Sequence, residues 1–120
     1  MRQIKFRGKC AITGAWRYGA YYISKGNHII RDDQDRESIV LSSTVGQFTG
    51  LQDKNGNEIY EGDRLRHLSK YNSGHISVCR VIFRYEGFYL DYDNLIYEPT
   101  SLIKRSDYTF EIIGDTHENK

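Results

Sequence analysis

The stretch Leu51-Gln52-Asp53-Lys54-Asn55-Gly56-Asn57-Glu58-Ile59-Tyr60 is the clearest structural signal in the chain. A type I′ turn needs a positive φ angle at both of its central residues, and Asn55 and Gly56 are the residue types that tolerate one. The sequence therefore predicts a β-hairpin with a type I′ turn at its tip.

Short extended segments separated by turn residues lie on both sides of this hairpin. We predict strands over 2–10, 16–23, 28–31, 38–41, 44–49, 64–68, 76–85, 88–92, 95–97 and 108–113. The pair Glu98-Pro99 is expected to break one strand, Gly114 to end the last, and residues 101–105 to form one helical turn. Closely spaced strands with no helical periodicity are typical of all-β proteins.

The predicted fold class is therefore all-β. We expect an N-terminal β-meander over residues 1–59 to pack on a C-terminal small SH3-like barrel over residues 60–120, within one compact unit. The long strand over 76–85 and the tight Glu86-Gly87 turn are compatible with such a barrel. A chain of 120 residues buries about two-thirds of its unfolded surface, so it needs neither a disulfide nor a metal to fold.

Charge is unevenly distributed although the net charge is only +1. Residues 1–31 contain seven Lys or Arg and no acid, whereas the remainder contains ten basic and sixteen acidic residues. These halves can pair within one fold or between subunits, and the basic half can also face phosphates. We expect the basic and acidic halves to pair within one fold, and we weigh pairing between subunits and contact with phosphates against that expectation.

The cysteines and the hydropathy of the chain indicate in which cellular compartment the protein is expected. Cys10 and Cys79 lie far apart and indicate no disulfide framework. No apolar segment follows the basic N-terminus as in a secretory signal, and no apolar run approaches the roughly 18 residues of a membrane span. We expect a cytoplasmic protein with no membrane association.

Patterns that carry catalysis or bind metals are not visible. His75 directly precedes the predicted strand that contains Cys79, and along an extended chain four residues correspond to about 13 Å, too far for one ion. Zinc sites usually show two close ligand pairs, and the segment from Asp53 to Glu58 lacks the ligand spacing of a calcium loop. There is no Gly-x-Ser-x-Gly nucleophile elbow either. The sequence predicts no enzyme, no catalytic residues, no cofactor and no metal site.

Basic residues alternate along several predicted strands and suggest a nucleic-acid interface. The candidate contacts are Lys5, Arg7, Lys9, Arg64, Arg66, Arg80 and Arg84, and the candidate stacking residues are Tyr18, Tyr21, Tyr22 and Tyr71. Small β-barrels bind single strands through basic grooves and aromatic platforms. The alternative is that these cations form the solvated face of an amphipathic sheet, which the sixteen acids favour.

The ten tyrosines suggest a protein interface as the other option. Tyrosine caps the edges of small cores and is also enriched where proteins meet. The candidate interface residues are Tyr21, Tyr22, Phe88, Tyr89 and Tyr92. Because aromatics fall on both faces of the strand over 88–92, that strand is expected to contact a second layer or a neighbouring subunit.

Three blocks of the chain resemble a known family. The segment from Met1 to Arg7 opens the chain, the segment from Gln47 to Asp63 forms its centre, and Tyr108 to Gly114 with the following His117-Glu118-Asn119 forms its close. Read in order, they resemble the YopX family of phage and prophage proteins. The resemblance implies a mostly β fold, a mobile-element origin and an assembled homo-oligomer, and it implies no activity and no catalytic residues.

The leading hypothesis is an uncharacterised, non-enzymatic accessory protein of a phage or mobile element. It would act through protein–protein contacts with a phage or host protein and through self-association. The alternative is a nucleic-acid-binding small β-barrel module.

Overall fold

A computed structural model describes residues 4–69, 76–84, 87–92, 97–99, 103 and 108–116. Within these ranges the elements are β1 (Phe6–Lys9), β2 (Trp16–Ser24), β3 (Asn27–Arg31), β4 (Glu37–Ile39), a 3₁₀ turn (Ser42–Thr44), β5 (Gly46–Gln52), β6 (Glu58–Tyr60), β7 (Asp63–Ser69), β8 (Ile76–Arg84), β9 (Gly87–Asp91), β10 (Tyr97–Pro99) and β11 (Tyr108–Asp115). The strands form antiparallel sheets, so the predicted all-β class is confirmed.

Contacts within the chain divide it into two compact units, Met1–Phe48 and Thr49–Lys120. Strand β5 begins in the first unit and ends in the second, and the predicted hairpin lies in the second. The predicted division into residues 1–59 and 60–120 stays a prediction.

The sheet of the N-terminal unit has the hydrogen-bonded order β4-β3-β2-β1-β5. Strands β2 and β3 are joined by Lys25 and Gly26, whose φ angles are 52° and 80°. Positive φ at both residues of a two-residue loop defines the type I′ geometry that matches the twist of a hairpin. The tight hairpin turn therefore lies at Lys25-Gly26.

The end of β1 returns to the end of β4. The Ala11 N–H donates to the Ile39 carbonyl and the Leu41 N–H to the Lys9 carbonyl, each at 2.9 Å. Gly8 lies on this path, where an added Cβ would come within 2.9 Å of a Val40 methyl group. The four-strand meander thus closes on its first strand around an interior too narrow for a side chain at position 8.

The predicted turn at the tip of the β5–β6 hairpin is wrong in type. Gly56 has a φ of 82°, but Asn55 does not take a positive φ, so the turn is not type I′. The loop has five residues, and the Asp53 N–H donates to the Asn57 carbonyl across its base at 2.9 Å. The loop is shaped by the Asp53 side chain, which accepts the N–H groups of Asn55 and Asn57, and not by a two-residue turn.

The sheet of the C-terminal unit has the order β10-β9-β8-β7-β11. Four strands form a meander, and the last strand returns to pair with the first of them. One face carries a single apolar cluster, formed by Ile59, Leu65, Cys79, Val81, Phe88, Leu90 and Phe110. Along the strands of this sheet, every second residue points to the same face, so an alternating sequence pattern places the apolar side chains on one face.

Two strand ends differ from prediction. Strand β10 includes Glu98 and Pro99, so the predicted break there is wrong. Pro99 pairs with Tyr89 in β10, and β10 is an edge strand, where proline is tolerated because one side of the strand has no ladder partner. Strand β11 continues through Gly114 to Asp115, with a bulge between Ile112 and Gly114.

Some predictions concern residues outside the described ranges. These are residues 2, 3 and 85, residues 95 and 96 of one predicted strand, most of the helical turn over 101–105, and Tyr71, His75 and His117.

Candidate interaction surfaces

Asp53 organises the central hairpin and joins it to the last strand. Its carboxylate is almost fully buried and accepts the N–H groups of Asn55 at 2.9 Å and Asn57 at 3.0 Å through Oδ1. Oδ2 accepts the N–H of Ile112 at 3.0 Å, and the neighbouring Lys54 N–H donates to the Phe110 carbonyl at 2.9 Å. The hairpin tip therefore covers the outer edge of β11, which would otherwise expose unpaired backbone groups.

The charge on Asp53 is held by this network. Burial raises the pKa of the carboxyl, but hydrogen bonds from the N–H groups of Ile112, Asn57 and Asn55 outweigh burial and hold it below its ordinary 3.8. A carboxylate whose oxygens already accept three backbone N–H groups serves the fold rather than a bound substrate.

The turn after the hairpin is built in the same way. The Asp63 carboxylate accepts the Tyr60 N–H at 2.8 Å, and the Tyr60 hydroxyl donates to Glu58 at 2.9 Å. Gly62, at a φ of 95°, donates its N–H to the Val81 carbonyl at 2.9 Å and accepts the Thr116 N–H at 2.8 Å. The segment from Asp53 to Asp63 therefore has a structural role: it joins the β5–β6 hairpin and the turn after it to the C-terminal sheet, and is called the hairpin joint below.

Sequence reasoning missed the roles of Asp53 and Asp63. Aspartate two residues before a turn residue is a known signal for a side-chain-closed turn. It could have indicated the local bonds of Asp53, but not its bond to Ile112, which lies 59 residues away.

The predicted cations of the N-terminal unit lie against aromatic rings. Arg7 and Lys9 lie 4.2 Å and 5.2 Å from the centroid of Trp16, and Lys5 lies 5.3 Å from that of Phe48. Arg7 is only 6% exposed, which removes it from the solvated surface. Cations on ring faces contribute cation–π energy and occupy the faces on which bases would stack.

The outer face of the C-terminal sheet, here called the arginine face, collects the other predicted cations. Its members are Arg64, Arg66, Arg80 and Arg84 with Val78, Ile82 and Tyr89, placed on one side by strand register. Arg66 forms a salt bridge with Glu111, and two nitrogens of Arg80 each lie 2.9 Å from Asp91 Oδ2. Hydrogen bonding to Arg66 also lowers the pKa of Glu111.

Arg64 differs from its neighbours on the arginine face. It is exposed and lies directly opposite Arg80 across the β7–β8 ladder. Among the described residues, no carboxylate forms a salt bridge with Arg64. Like charges directly opposite each other destabilise a sheet, so this position favours an additional anion.

The predicted interface aromatics are mostly engaged within their own unit. Tyr21 shares a hydrogen bond of 2.6 Å with His28, and Tyr22 bonds to Glu37. Phe88 is buried in the core cluster, which corrects its assignment to an interface, because it pairs opposite Phe83 on the core side of the sheet.

The remaining two aromatics lie on opposite faces of the C-terminal sheet. Tyr92 packs against the core cluster, with its ring 5.3 Å from that of His67. Tyr89 is half-buried on the arginine face, opposite Ile82. Of the five predicted residues, Tyr89 is thus the one placed on a candidate surface of the C-terminal unit.

Large apolar side chains are exposed on the N-terminal unit. Ile4 is 71% exposed and Tyr18 43% exposed. Both line an open concavity of about 470 Å³, whose other lining residues are Lys5, Gly19, Ala20, Arg31, Asp32 and Asp33. This surface, called the β3–β4 concavity below, combines apolar walls with two cations, Lys5 and Arg31, and two acidic residues, Asp32 and Asp33.

The two thiols lie in contrasting environments. Hydrogen bonds from the Thr13 hydroxyl and from the N–H groups of Thr13 and Ile12 lower the pKa of Cys10 to about 7. Burial raises the pKa of Cys79 to about 12. Within the described ranges, no three His, Cys, Asp or Glu side chains are grouped closely enough to hold a metal ion. Over the same part of the chain, no helix has the length and apolarity needed to cross a membrane.

These features define an all-β protein made of two antiparallel units, with a hairpin joint and exposed mixed surfaces. The family model described as YopX protein matches residues 5–120, and the chain belongs to the YopX family. The crystal structure of protein EF1440 from Enterococcus faecalis is similar in fold, with a TM-score of 0.56 and 21% identity over 99% of this chain and 96% of that chain. No curated protein matches the sequence.

Proposed function

We propose that the protein is a non-enzymatic accessory protein of a phage or another mobile element that acts through protein–protein contacts and self-associates. The observation that carries the proposal is the exposure of large apolar side chains on the small N-terminal unit: Ile4, Ile12, Tyr18, Ile23, Ile39 and Leu41 are each between 43% and 91% exposed. Burying such surface in a contact releases roughly 25 cal/mol per Å². Ile4 and Tyr18 lie together around the β3–β4 concavity, and exposed apolar side chains that lie together are typical of interaction sites.

The charges of the two units support contacts between copies. Residues 1–48 contain eight basic and four acidic residues, whereas residues 49–120 contain nine basic and twelve acidic residues. The units therefore carry opposite net charges. Complementary charges on different parts of one chain favour reciprocal docking between copies.

Nucleic-acid binding is the second candidate, and the exposed Arg64 favours it. Against it, Lys5, Arg7 and Lys9 lie over aromatic rings, and Arg66 and Arg80 are salt-bridged to acids. Cations already engaged in this way neutralise fewer phosphates, which are the main source of affinity for nucleic acids. These contacts count against nucleic-acid binding.

Sedimentation velocity from micromolar to near-millimolar concentration tests self-association. We expect the weight-average mass to rise with concentration beyond that of one chain. A single-chain mass at every concentration would refute the self-association part of the proposal.

Fluorescence anisotropy with labelled single-stranded and double-stranded DNA and RNA tests the second candidate. We expect any binding seen at low salt to vanish near physiological salt. Tight binding that survives the higher salt, and that the double variant Arg64→Ser/Arg84→Ser abolishes, would replace a protein partner with a nucleic acid.

A further inference from the structure

We infer that the acidic turn between β3 and β4 of one copy docks on the arginine face of a second copy. This inference rests on the self-association proposed above and specifies its contact. The occupant of the arginine face is thus a named segment of the same chain.

The β3–β4 turn divides its acids between two tasks. The Asp32 carboxylate accepts the N–H groups of Gln34 at 2.9 Å and Arg36 at 3.0 Å and forms a salt bridge of 2.9 Å with Arg36. It therefore shapes the turn from within. Asp33 and Asp35 are exposed, and neither forms a salt bridge with a described residue. The turn presents two carboxylates to an outside partner.

Apolar surface adjoins these carboxylates. Asp33 lines the β3–β4 concavity together with the exposed side chains of Ile4 and Tyr18. Lys5 and Arg31 also line the concavity, so a partner that fits this surface must bring its cations to the turn and aliphatic groups to the concavity.

The arginine face offers both groups in one place. Val78 is 41% exposed and lies opposite Arg66, and Ile113 is 42% exposed in the bulge beside Gly114, the residue opposite Arg64. Arg64 and Arg84 are exposed cations on the same side of the sheet. An arginine binds a carboxylate through parallel N–H donors, a geometry with both strength and specificity.

The ladder geometry gives a reason why a carboxylate is stabilising at Arg64. Arg64 and Arg80 repel each other across the β7–β8 ladder, and Asp91 is already committed to Arg80 at 2.9 Å. Among the described residues no carboxylate forms a salt bridge with Arg64, and a carboxylate of Asp33 or Asp35 from a second copy supplies that countercharge. Each copy carries one docking turn and one arginine face, so every copy offers both halves of the contact.

Charge reversal in sedimentation experiments tests this pairing. Arg64→Glu/Arg84→Glu and Asp33→Lys/Asp35→Lys are each expected to weaken self-association about 10-fold or more, because like charges then meet at the contact. A chain with all four changes should recover assembly, and so should a mixture of the two double variants. Lys25→Glu, which reverses an exposed cation of the β2–β3 turn, is the matched control and should assemble like the wild type.

The outcomes separate this inference from the proposed function. A wild type that assembles while both double variants assemble equally well would overturn the pairing and leave self-association standing. Loss of self-association in both double variants without its recovery in their mixture would also overturn the pairing. The mixture contains only these two variants, so this test does not depend on the folding of the four-fold variant. A wild type that stays monomeric would overturn the inference together with the proposed self-association.

Discussion

In the C-terminal unit seven apolar side chains form one buried cluster, whereas the apolar side chains buried among the described residues of the N-terminal unit are Cys10, Ile30, Val40 and Phe48. The N-terminal unit instead brings its backbones close together. A Cβ at Gly19 would lie 2.0 Å from the Arg31 carbonyl oxygen, at a φ of +151°.

The exposed apolar surface differs in the same way. In the described part of the N-terminal unit, large apolar side chains such as Ile4 (71% exposed) and Ile39 (48% exposed) lie in solvent. A unit with a side-chain core can bury its own. Stability therefore rests mainly on the C-terminal core, whereas the exposed large apolar side chains of the described residues lie mainly on the N-terminal unit.

The largest effect is expected in the C-terminal core. Leu90→Ala removes a fully buried side chain and should lower the free energy of unfolding by about 3–4 kcal/mol, because it loses transfer energy and leaves a cavity. Urea unfolding measures this loss. Val78→Ala on the arginine face should stay within about 0.5 kcal/mol of wild type, and equal losses in both variants would contradict the assignment of the core.

The next effect tests close backbone approach in the N-terminal unit. Gly19→Ala should cost about 2–3 kcal/mol, because the added Cβ forces β2 and β3 apart. Gly26→Ala is the control, since its φ is also positive but nothing lies within 4 Å of the added Cβ. Its cost should be about 1 kcal/mol. If urea unfolding gave the two variants the same stability, the narrow interior would be refuted.

A smaller effect is expected at the hairpin joint. Asp53→Asn should cost about 1–2 kcal/mol at neutral pH, because an amide cannot accept at both positions and one backbone N–H is left without its acceptor. Asp33→Asn, at an exposed carboxyl, is the control. Chemical unfolding that shows no difference between these variants would show that the joint contributes little.

The pH dependence of the same variant has a definite sign. The folded pKa of Asp53 lies below its ordinary 3.8, so its stabilisation is complete above that value and is lost as the pH falls through the folded pKa. Asp53→Asn should therefore weaken the loss of stability below pH 3.8, measured by unfolding at a series of acidic pH values. An unchanged acid dependence would mean that other carboxyls account for it.

The last prediction concerns the reactivity of the two thiols and involves no change in stability. Because the thiolate is the reacting form and Cys10 is 8% exposed against 3% for Cys79, alkylation of the native protein near pH 7 should modify Cys10 faster than Cys79. Peptide mass spectrometry reads the ratio directly. Comparable labelling of both thiols without denaturant would contradict the contrast between the turn at Cys10 and the core around Cys79.

Local patterns predicted most of the strands, because alternation and turn residues are properties of neighbouring positions. The features that were wrong or missed depend on distant partners. Asn55 does not adopt the expected turn angle because Asp53 shapes the loop and binds Ile112, and Pro99 is tolerated because its strand lies at a sheet edge.

The candidate site shows the same limit. Sequence alternation placed Arg66 and Arg80 on a basic face, but their partners Glu111 and Asp91 lie 45 and 11 residues away. No local pattern reveals such neutralisation. Arg64, Asp33 and Asp35 are exposed and form no salt bridge with another described residue, which the structure shows and the sequence does not.

Amide hydrogen exchange, measured at a low concentration and at one where the protein assembles, is the most direct test of the central claim. That claim is that contacts between copies involve the N-terminal unit, whereas the hairpin serves the fold. We expect slower exchange on assembly for residues 18–20, 31–35 and 64–66, and unchanged exchange for the strongly bonded segment 53–63. Protection appearing in 53–63 instead, or no change anywhere, would contradict this account.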